Sequence, residues 1–228
     1  MTTSTSVKEL TADGLLFDLD GTLIHTLKCT ENVYTWFSNK HGVDPKTVYH
    51  ACHGVPTLKV LQTFFPKEVQ NIETVNMLEG MAVEDYDSIF PIPGALELLG
   101  SLPPNKWTIV TSGTRMLATK RLEYLKFPQS QSDMITGDEV FNGKPDPEPF
   151  NRGAANLGLD PSKCVVFEDA LAGIKSGKAA GSIVVALTTG FSEEELRSAG
   201  ADYVIRDMTQ VHVDVDSVSG KLLLRLES

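Results

Sequence analysis

The stretch Leu15-Leu16-Phe17-Asp18-Leu19-Asp20-Gly21-Thr22 decides the fold class. Its apolar start reads as a strand buried on both faces, as in a parallel sheet. The run then ends in two carboxylates on alternate positions, followed by a glycine. A carboxylate is too costly to leave unpaired in an apolar interior. The pair therefore belongs at the carboxyl end of the strand, the edge at which open α/β sheets bind ligands. Asp18 can face that edge directly, and Gly21 permits a sharp turn that brings Asp20 round to it. A second reading makes Asp20 the cap of a following helix.

Working outward, the same pattern repeats downstream. Strands are predicted at Trp107 to Thr111, near Met134-Ile135, at Cys164 to Phe167, Ile183 to Leu187 and Tyr203 to Ile205. Helices are predicted between them, over about 94–101, 114–125, 148–157, 170–180 and 192–199. Alternation of this kind predicts a parallel α/β sheet covered on both faces. Residues 24–90 differ. Val33, Trp36 and Phe37, then Val60, Leu61, Phe64 and Phe65, then Met77, Leu78 and Met81 recur at helical spacing. The breakers HGVDP and CHGVP separate them. This region reads as a helical insert, with the four aromatic residues as its apolar core rather than a sugar platform. Residues 1 to about 13 read as a disordered lead, and the tail VHVDVDSVSGKLLLRL as a hairpin turning at Ser219-Gly220.

Composition bounds the partners. A formal net charge of -10 argues against nucleic acid and anionic membranes. A small anionic substrate remains open, because a few lysines or a metal reverse the sign locally. The polar N-terminus and the lack of a run of membrane-spanning length predict no membrane partner. Cys29, Cys52 and Cys164 are far apart and odd in number. Free thiols in a reducing compartment follow, with a cytoplasmic location as the expectation and a nuclear pool left open. A monomer is expected, since an insert that opens and closes needs a free face.

Three further motifs join the first. Thr111-Ser112-Gly113 ends a strand with a hydroxyl and backbone N–H groups that can hold an anion beside a helix start, although Ser-Gly also serves purely geometric turns. Lys144 precedes the stiff run Pro145-Asp146-Pro147-Glu148-Pro149, and is either a solvated lysine or a cation for a phosphate or nucleophile. Glu168-Asp169 ends a second buried-looking strand in acids, with Gly173 and Gly177 letting the next helix pack close to the sheet. Hard oxygen ligands at this density suit Mg²⁺.

The order DLDGT, TSG, GKPDP, FEDA resembles the haloacid dehalogenase superfamily over nearly the whole chain. HGVPT, VTSGTR, GKPDPEPF, VVFEDALAGIKSGKAAG and ADYVIRDMTQV are closer still to fungal glycerol-phosphate phosphatases and 2-deoxyglucose-6-phosphatases. The resemblance implies a Rossmann-like core over 1–23 and 91–228, with a helical cap over 24–90 inserted after the first strand. It implies Mg²⁺-dependent hydrolysis of a small polyol or sugar phosphate. In that role Asp18 is the nucleophile and Asp20 the general acid and then base. Thr111 binds the phosphoryl group, Ser112 and Gly113 take its oxygens, and Lys144 steadies nucleophile and phosphate. Asp18, Asp169 and the Asp20 carbonyl hold the metal, and Glu168 supports them. A hexose-phosphate mutase and a non-catalytic phospho-ligand binding protein are the alternatives.

The insert would choose the leaving group, through His53 and Thr57. His53 is equally readable as structural, as is His25 at the hinge. Arg115 either approaches the phosphate or pairs with a surface acid. Relatives commonly read HGxRT, but position 56 here is proline, which offers neither charge nor donor. Lys28 or Lys59 is the expected replacement cation.

Overall fold

The computed structural model describes residues 7–227. Strand β1 (Val7–Ala12) leads into β2 (Gly14–Phe17) and the short β3 (Ile24–His25). Four helices follow: α1 (Leu27–His41), α2 (Pro45–Cys52), α3 (Thr57–Phe64) and α4 (Ile72–Glu84). The chain returns through β4 (Phe90–Pro91), α5 (Ala95–Ser101), β5 (Trp107–Ile109), α6 (Arg115–Tyr124), α7 (Glu148–Asn156), β6 (Cys164–Glu168) and α8 (Leu171–Ala179). It ends in β7 (Ile183–Leu187), α9 (Glu193–Ser198), β8 (Tyr203–Ile205), β9 (Val211–Val215) and β10 (Leu222–Glu227).

The main sheet is parallel, in the order β5-β2-β6-β7-β8. The chain leaves β2 for β5 on one side and then crosses to β6 on the other. The crevice at the carboxyl ends of these three strands is therefore the switch point of the sheet. Alternate residues of β2 serve opposite layers. Leu15 and Phe17 join an apolar cluster that continues into α1, α3 and α4 through Phe37, Leu61 and Leu78. Leu16 joins Val110, Phe150, Val166 and Val184 on the other face. Both faces are covered, as the apolar strands require.

β3 pairs antiparallel with β4 where the chain enters and leaves the helical segment. No helix among the described residues is long and apolar enough to cross a membrane.

Four expectations are corrected. Residues 7–12 form a strand, not a disordered lead; residues 1–6 of that reading lie outside the described residues. β1 pairs along its length with β10, whose Leu222, Leu224 and Leu226 supply the buried alternation that β1 itself lacks. β10 also pairs with β9 as the predicted hairpin. Near Ile135 there is one bridge to Val110 rather than a strand.

The HGVDP breaker does end α1, at His41 with Gly42 left-handed, but a helix the sequence did not announce, α2, starts inside it. Asp44 caps it by accepting from the backbone N–H of Lys46 and Thr47, and Pro45 occupies the first turn. Asp-Pro here starts a helix as well as ending one. Finally, Trp36 is 43% exposed under the Lys40 ammonium, whereas Phe37 is buried against Phe65. Only part of the aromatic set is core.

Candidate active site

β2 delivers Asp18 one residue beyond its last apolar position, and the Asp18 N–H donates to the Phe167 carbonyl of β6. Gly21, at φ +91°, then turns the chain so sharply that its N–H reaches the Ile24 carbonyl. A Cβ on Gly21 would stand 2.1 Å from Asp169 Oδ2, so only glycine lets this turn close over the acid. β6 ends in Glu168, with Asp169 directly after it.

Lys144 ties these ends together. Its Nζ donates to Asp18 Oδ1 at 2.6 Å, Glu168 Oε1 at 2.8 Å and the Val110 carbonyl at 2.9 Å. All three ammonium protons are thereby used, and the side chain is fully buried. The solvated-lysine reading is excluded. Glu168 Oε2 accepts from the N–H groups of Asp169 and Ala170. A Cβ on Gly173 would lie 1.6 Å from Glu168 Oε1, so Gly173 makes room for this carboxylate. Gly177 is the residue that lets α8 approach Val166 and Val184 of the sheet.

Oxygens of Asp18, Glu168 and Asp169 lie within 4.8 Å of one another, all buried. Their negative charge faces one ammonium. Burial raises the Asp18 carboxyl to about 7, with Lys144 opposing and Glu168 adding to the rise. Burial also raises Asp169 well above the usual carboxylate range, helped by the charges of Glu168 and Asp18. The Lys144 ammonium is raised, because its two carboxylate partners outweigh the desolvation that opposes them. Three hard oxygen donors with an unmatched charge fit a small divalent cation, whose ligands sit at about 2.0–2.6 Å.

A carboxyl whose folded value is raised contributes stability that is complete below its unfolded value and lost as pH rises through the folded one. A bound cation would compensate for those lost protons. The gain in melting temperature on adding a divalent cation is therefore expected to grow between about pH 5 and about pH 7.5. Paired thermal melts with cation and with chelator check this. A gain that is the same at both pH values removes the cluster as a cation site.

Thr111 follows β5, and its N–H donates to the Ile135 carbonyl. Its Oγ1 accepts from the Gly113 N–H at 3.1 Å. The Ser112 hydroxyl donates to the Gly54 carbonyl at 3.0 Å, so it ties the helical segment to the core rather than standing free for an anion. Closure is tight there: a Cβ on Gly54, at φ +70°, would meet Ala170 Cβ at 2.5 Å. The Pro56 ring packs over Gly143, where a Cβ would be 3.1 Å from its Cγ.

Between helices and sheet lies a cavity of about 110 Å³. Asp18, Asp20, Thr111, Ser112 and Gly113 border it from the core, and His53 and Thr57 from the helices. The sequence-predicted residues Lys144, Glu168 and Asp169 stand behind Asp18. His53 caps the end of α2 with its ring edge-on to Tyr49 and Phe191, and its buried Nε2 has no partner. Burial lowers its basicity. Thr57 Oγ1 donates to Glu79 Oε1 at 2.9 Å.

The expected cations Lys28 and Lys59 do not border the cavity. Lys28 pairs with Glu31 at the surface, and Lys59 is exposed. His25 stacks on Phe90, away from the cavity. Arg115 pairs with the surface acids Asp133 and Glu139.

Sequence reasoning missed Glu79 and Arg121. Glu79 accepts hydroxyl hydrogen bonds from Thr57 and from Thr114, the N-cap of α6. Burial raises its carboxyl, and those two hydrogen bonds work against the rise. Arg121 donates from Nη1 to Asp20 Oδ1. A signal existed for each. Glu79 falls on the buried stripe Val75, Leu78, Ala82 of α4, and Arg121 on the stripe Leu117, Ala118 of α6. A charge on an apolar helical stripe is either paired or placed for use.

A parallel sheet with acids at its switch point, a buried lysine and a helical cover together form an α/β site built for a small anionic ligand. The chain belongs to the haloacid dehalogenase-like hydrolases, whose pattern matches residues 15–187. It is similar to 2-deoxyglucose-6-phosphate phosphatase 1 of Saccharomyces cerevisiae, at 40% identity over 93% of this chain and 94% of the relative. It is similar to glycerol-1-phosphate phosphohydrolase 1 of the same yeast, at 37% identity over 93% and 89%. Among solved structures, a Pseudomonas syringae hydrolase superposes with a TM-score of 0.76 at 27% identity, covering 86% of this chain and 94% of that one. A β-phosphoglucomutase from Clostridium difficile shares the fold, with a TM-score of 0.74 at 21% identity over 87% and 92%.

Proposed function

We propose that this chain is a Mg²⁺-dependent phosphatase of small polyol or sugar phosphates, working through an aspartyl-phosphate. The observation that carries the reading is the Asp18 carboxylate, held by buried Lys144 at the edge of a cavity that Asp20 also borders. The relatives named for 2-deoxyglucose 6-phosphate and glycerol 1-phosphate give the substrate class. Residues 24–90 are read as the cap that selects the leaving group, closing on a core made by the remaining described residues.

Asp18 Oδ2 is the attacking oxygen, since Oδ1 is engaged by Lys144. Thr111 and the N–H groups of Ser112 and Gly113 receive the phosphoryl oxygens. For that the Gly113 N–H exchanges the Thr111 hydroxyl for the substrate. Asp20 protonates the departing alkoxide and later takes a proton from the water that opens the acyl phosphate. One hard displacement thus becomes two easier ones. Asp18, Asp169 and the Asp20 carbonyl would hold Mg²⁺, with Glu168 orienting the shell from its three hydrogen bonds, to Lys144, Asp169 and Ala170, and its fit over Gly173. When bound, that ion neutralises charge between two anions that otherwise repel.

Size supports a small leaving group. A cavity of about 110 Å³ is well below the roughly 300–1,000 Å³ that takes drug-sized ligands. His53 and Thr57, with Glu79 beside Thr57, present polar atoms to hydroxyls. A cytoplasmic monomer completes the reading; the three buried, unpaired cysteines support the reducing compartment.

The test is inorganic phosphate release from glycerol 1- and 3-phosphate, 2-deoxyglucose 6-phosphate, glucose 6-phosphate and a nucleoside monophosphate, with Mg²⁺ or with EDTA. Strong release from a polyol or sugar ester, lost in EDTA, is expected, with little from the nucleotide. Isomer formation without phosphate release overturns the hydrolase reading in favour of a mutase.

A further inference from the structure

Among the described residues, Arg121 is the only lysine or arginine that borders the cavity. It comes from the core helix α6, and its side chain is 4% exposed. A guanidinium that deep is retained only with good partners. Its Nη1 donates to Asp20 Oδ1, and this is the single side-chain hydrogen bond of Asp20 among the described residues. The Asp20 backbone is fixed by the turn at Gly21, but its carboxylate is aimed by Arg121.

The other end of the guanidinium touches the helical segment. Nη2 lies 3.6 Å from Cys29 Sγ of α1, and that thiol donates in turn to the Ala82 carbonyl of α4. The contact therefore forms when the helices are seated on the core. Two neighbouring ties cross the same boundary, Thr114 to Glu79 and Ser112 to the Gly54 carbonyl. Nε is buried with no partner. A residue kept only for packing would carry neither a charge nor an unpaired donor at this place.

The geometry points to Arg121 as a positioning residue, which aims Asp20 at the leaving oxygen once the helical segment has closed. Pro56 offers no side-chain donor and packs over Gly143, whereas Arg121 of α6 brings a cation to the cavity. This rests on the reading of Asp20 as the acid of a phosphatase. Its consequence is selective. An alkoxide leaving group needs the Asp20 proton. A nitrophenolate departs without one. The ratio kcat/KM covers only the steps up to that departure, so it isolates the acid role from the later base role.

The experiment measures kcat/KM for glycerol 1-phosphate and for p-nitrophenyl phosphate in the full chain and in Arg121→Gln, Arg121→Lys and Asp20→Asn, with melting temperatures for each. Arg121→Gln is expected to lose about 10²-fold on the glycerol ester and only about threefold on the nitrophenyl ester. Arg121→Lys is expected to recover part of the loss, since it restores the charge without the planar fork. Should Arg121→Gln fail to fold, the same selective loss in Arg121→Lys, smaller in size, carries the test. Equal losses on both esters overturn the proposal and make Arg121 a phosphate contact or a structural residue. Undiminished activity on both overturns it as well. Asp20→Asn separates the two levels: if it too fails to discriminate between the esters, the acid role itself is wrong.

Discussion

Replacing Asp18 by Asn is expected to abolish phosphate release, by at least about 10⁴-fold, while leaving the fold intact. The amide is isosteric but cannot form the acyl phosphate. Lys144 keeps its bonds to Glu168 and the Val110 carbonyl, so the cluster does not collapse. One of the mutually repelling carboxylates is gone, and burial had already pushed that carboxyl up to about 7. In cation-free buffer near neutral pH the variant is therefore expected to melt above the parent, with a weaker response to divalent cation. Phosphate release, thermal melts and a peptide mass check against deamidation read all three effects. Turnover within tenfold of the parent, with the asparagine intact, removes Asp18 as the nucleophile. The opposition of activity and stability at one atom is what a site that holds buried charge for chemistry should show.

The second large effect falls on Lys144. Changing it to Met keeps most of its volume over Phe150 but leaves Asp18 and Glu168 without their shared cation. Removing one partner of a buried ion pair costs about 3–5 kcal/mol. For a chain of this size that corresponds to a fall of roughly 10 °C in melting temperature. Phosphate release is expected to fall by at least about 10³-fold, because the nucleophile loses the group that fixes its orientation and charge. A divalent cation should recover part of the stability and little of the activity, since it supplies charge without holding Asp18 Oδ1. A variant that melts within a degree or two of the parent would show that the carboxylates are not ionised together, and would falsify the charge balance assigned to the cluster.

Much of the fold was legible because burial on both faces leaves a plain mark. Leu15 to Phe17, Cys164 to Phe167 and Ile183 to Leu187 are apolar without alternation, and each is a strand of the parallel sheet. β1 left no such mark. Its own residues are mostly exposed, and its place comes from the alternating leucines of a strand more than two hundred positions away. The strand expected near Ile135 shrank to a bridge for the converse reason: apolar residues were present, but only one registers with a neighbour. At α2, the break read in HGVDP is present after His41, but the hydrogen bonds of Asp44 also start a helix that the apolar spacing did not announce.

The site divides along the same line. The amino-acid sequence by itself determined the strand-end acids Asp18, Asp20, Glu168 and Asp169, the Thr111-Ser112-Gly113 turn and the rigid approach to Lys144. Each is a polar group adjoining a segment that must be apolar, and that local contrast can be read without a fold. Only the tertiary structure decided who partners whom. Lys144 meets two carboxylates 126 and 24 positions away, and Arg121 reaches Asp20 across 101. The Ser112 hydroxyl goes to the helical segment, 58 positions away. Such pairings arise from the way the helices close on the sheet. A buried charge must find compensation, and which residue supplies it depends on distances in space that no spacing along the chain encodes.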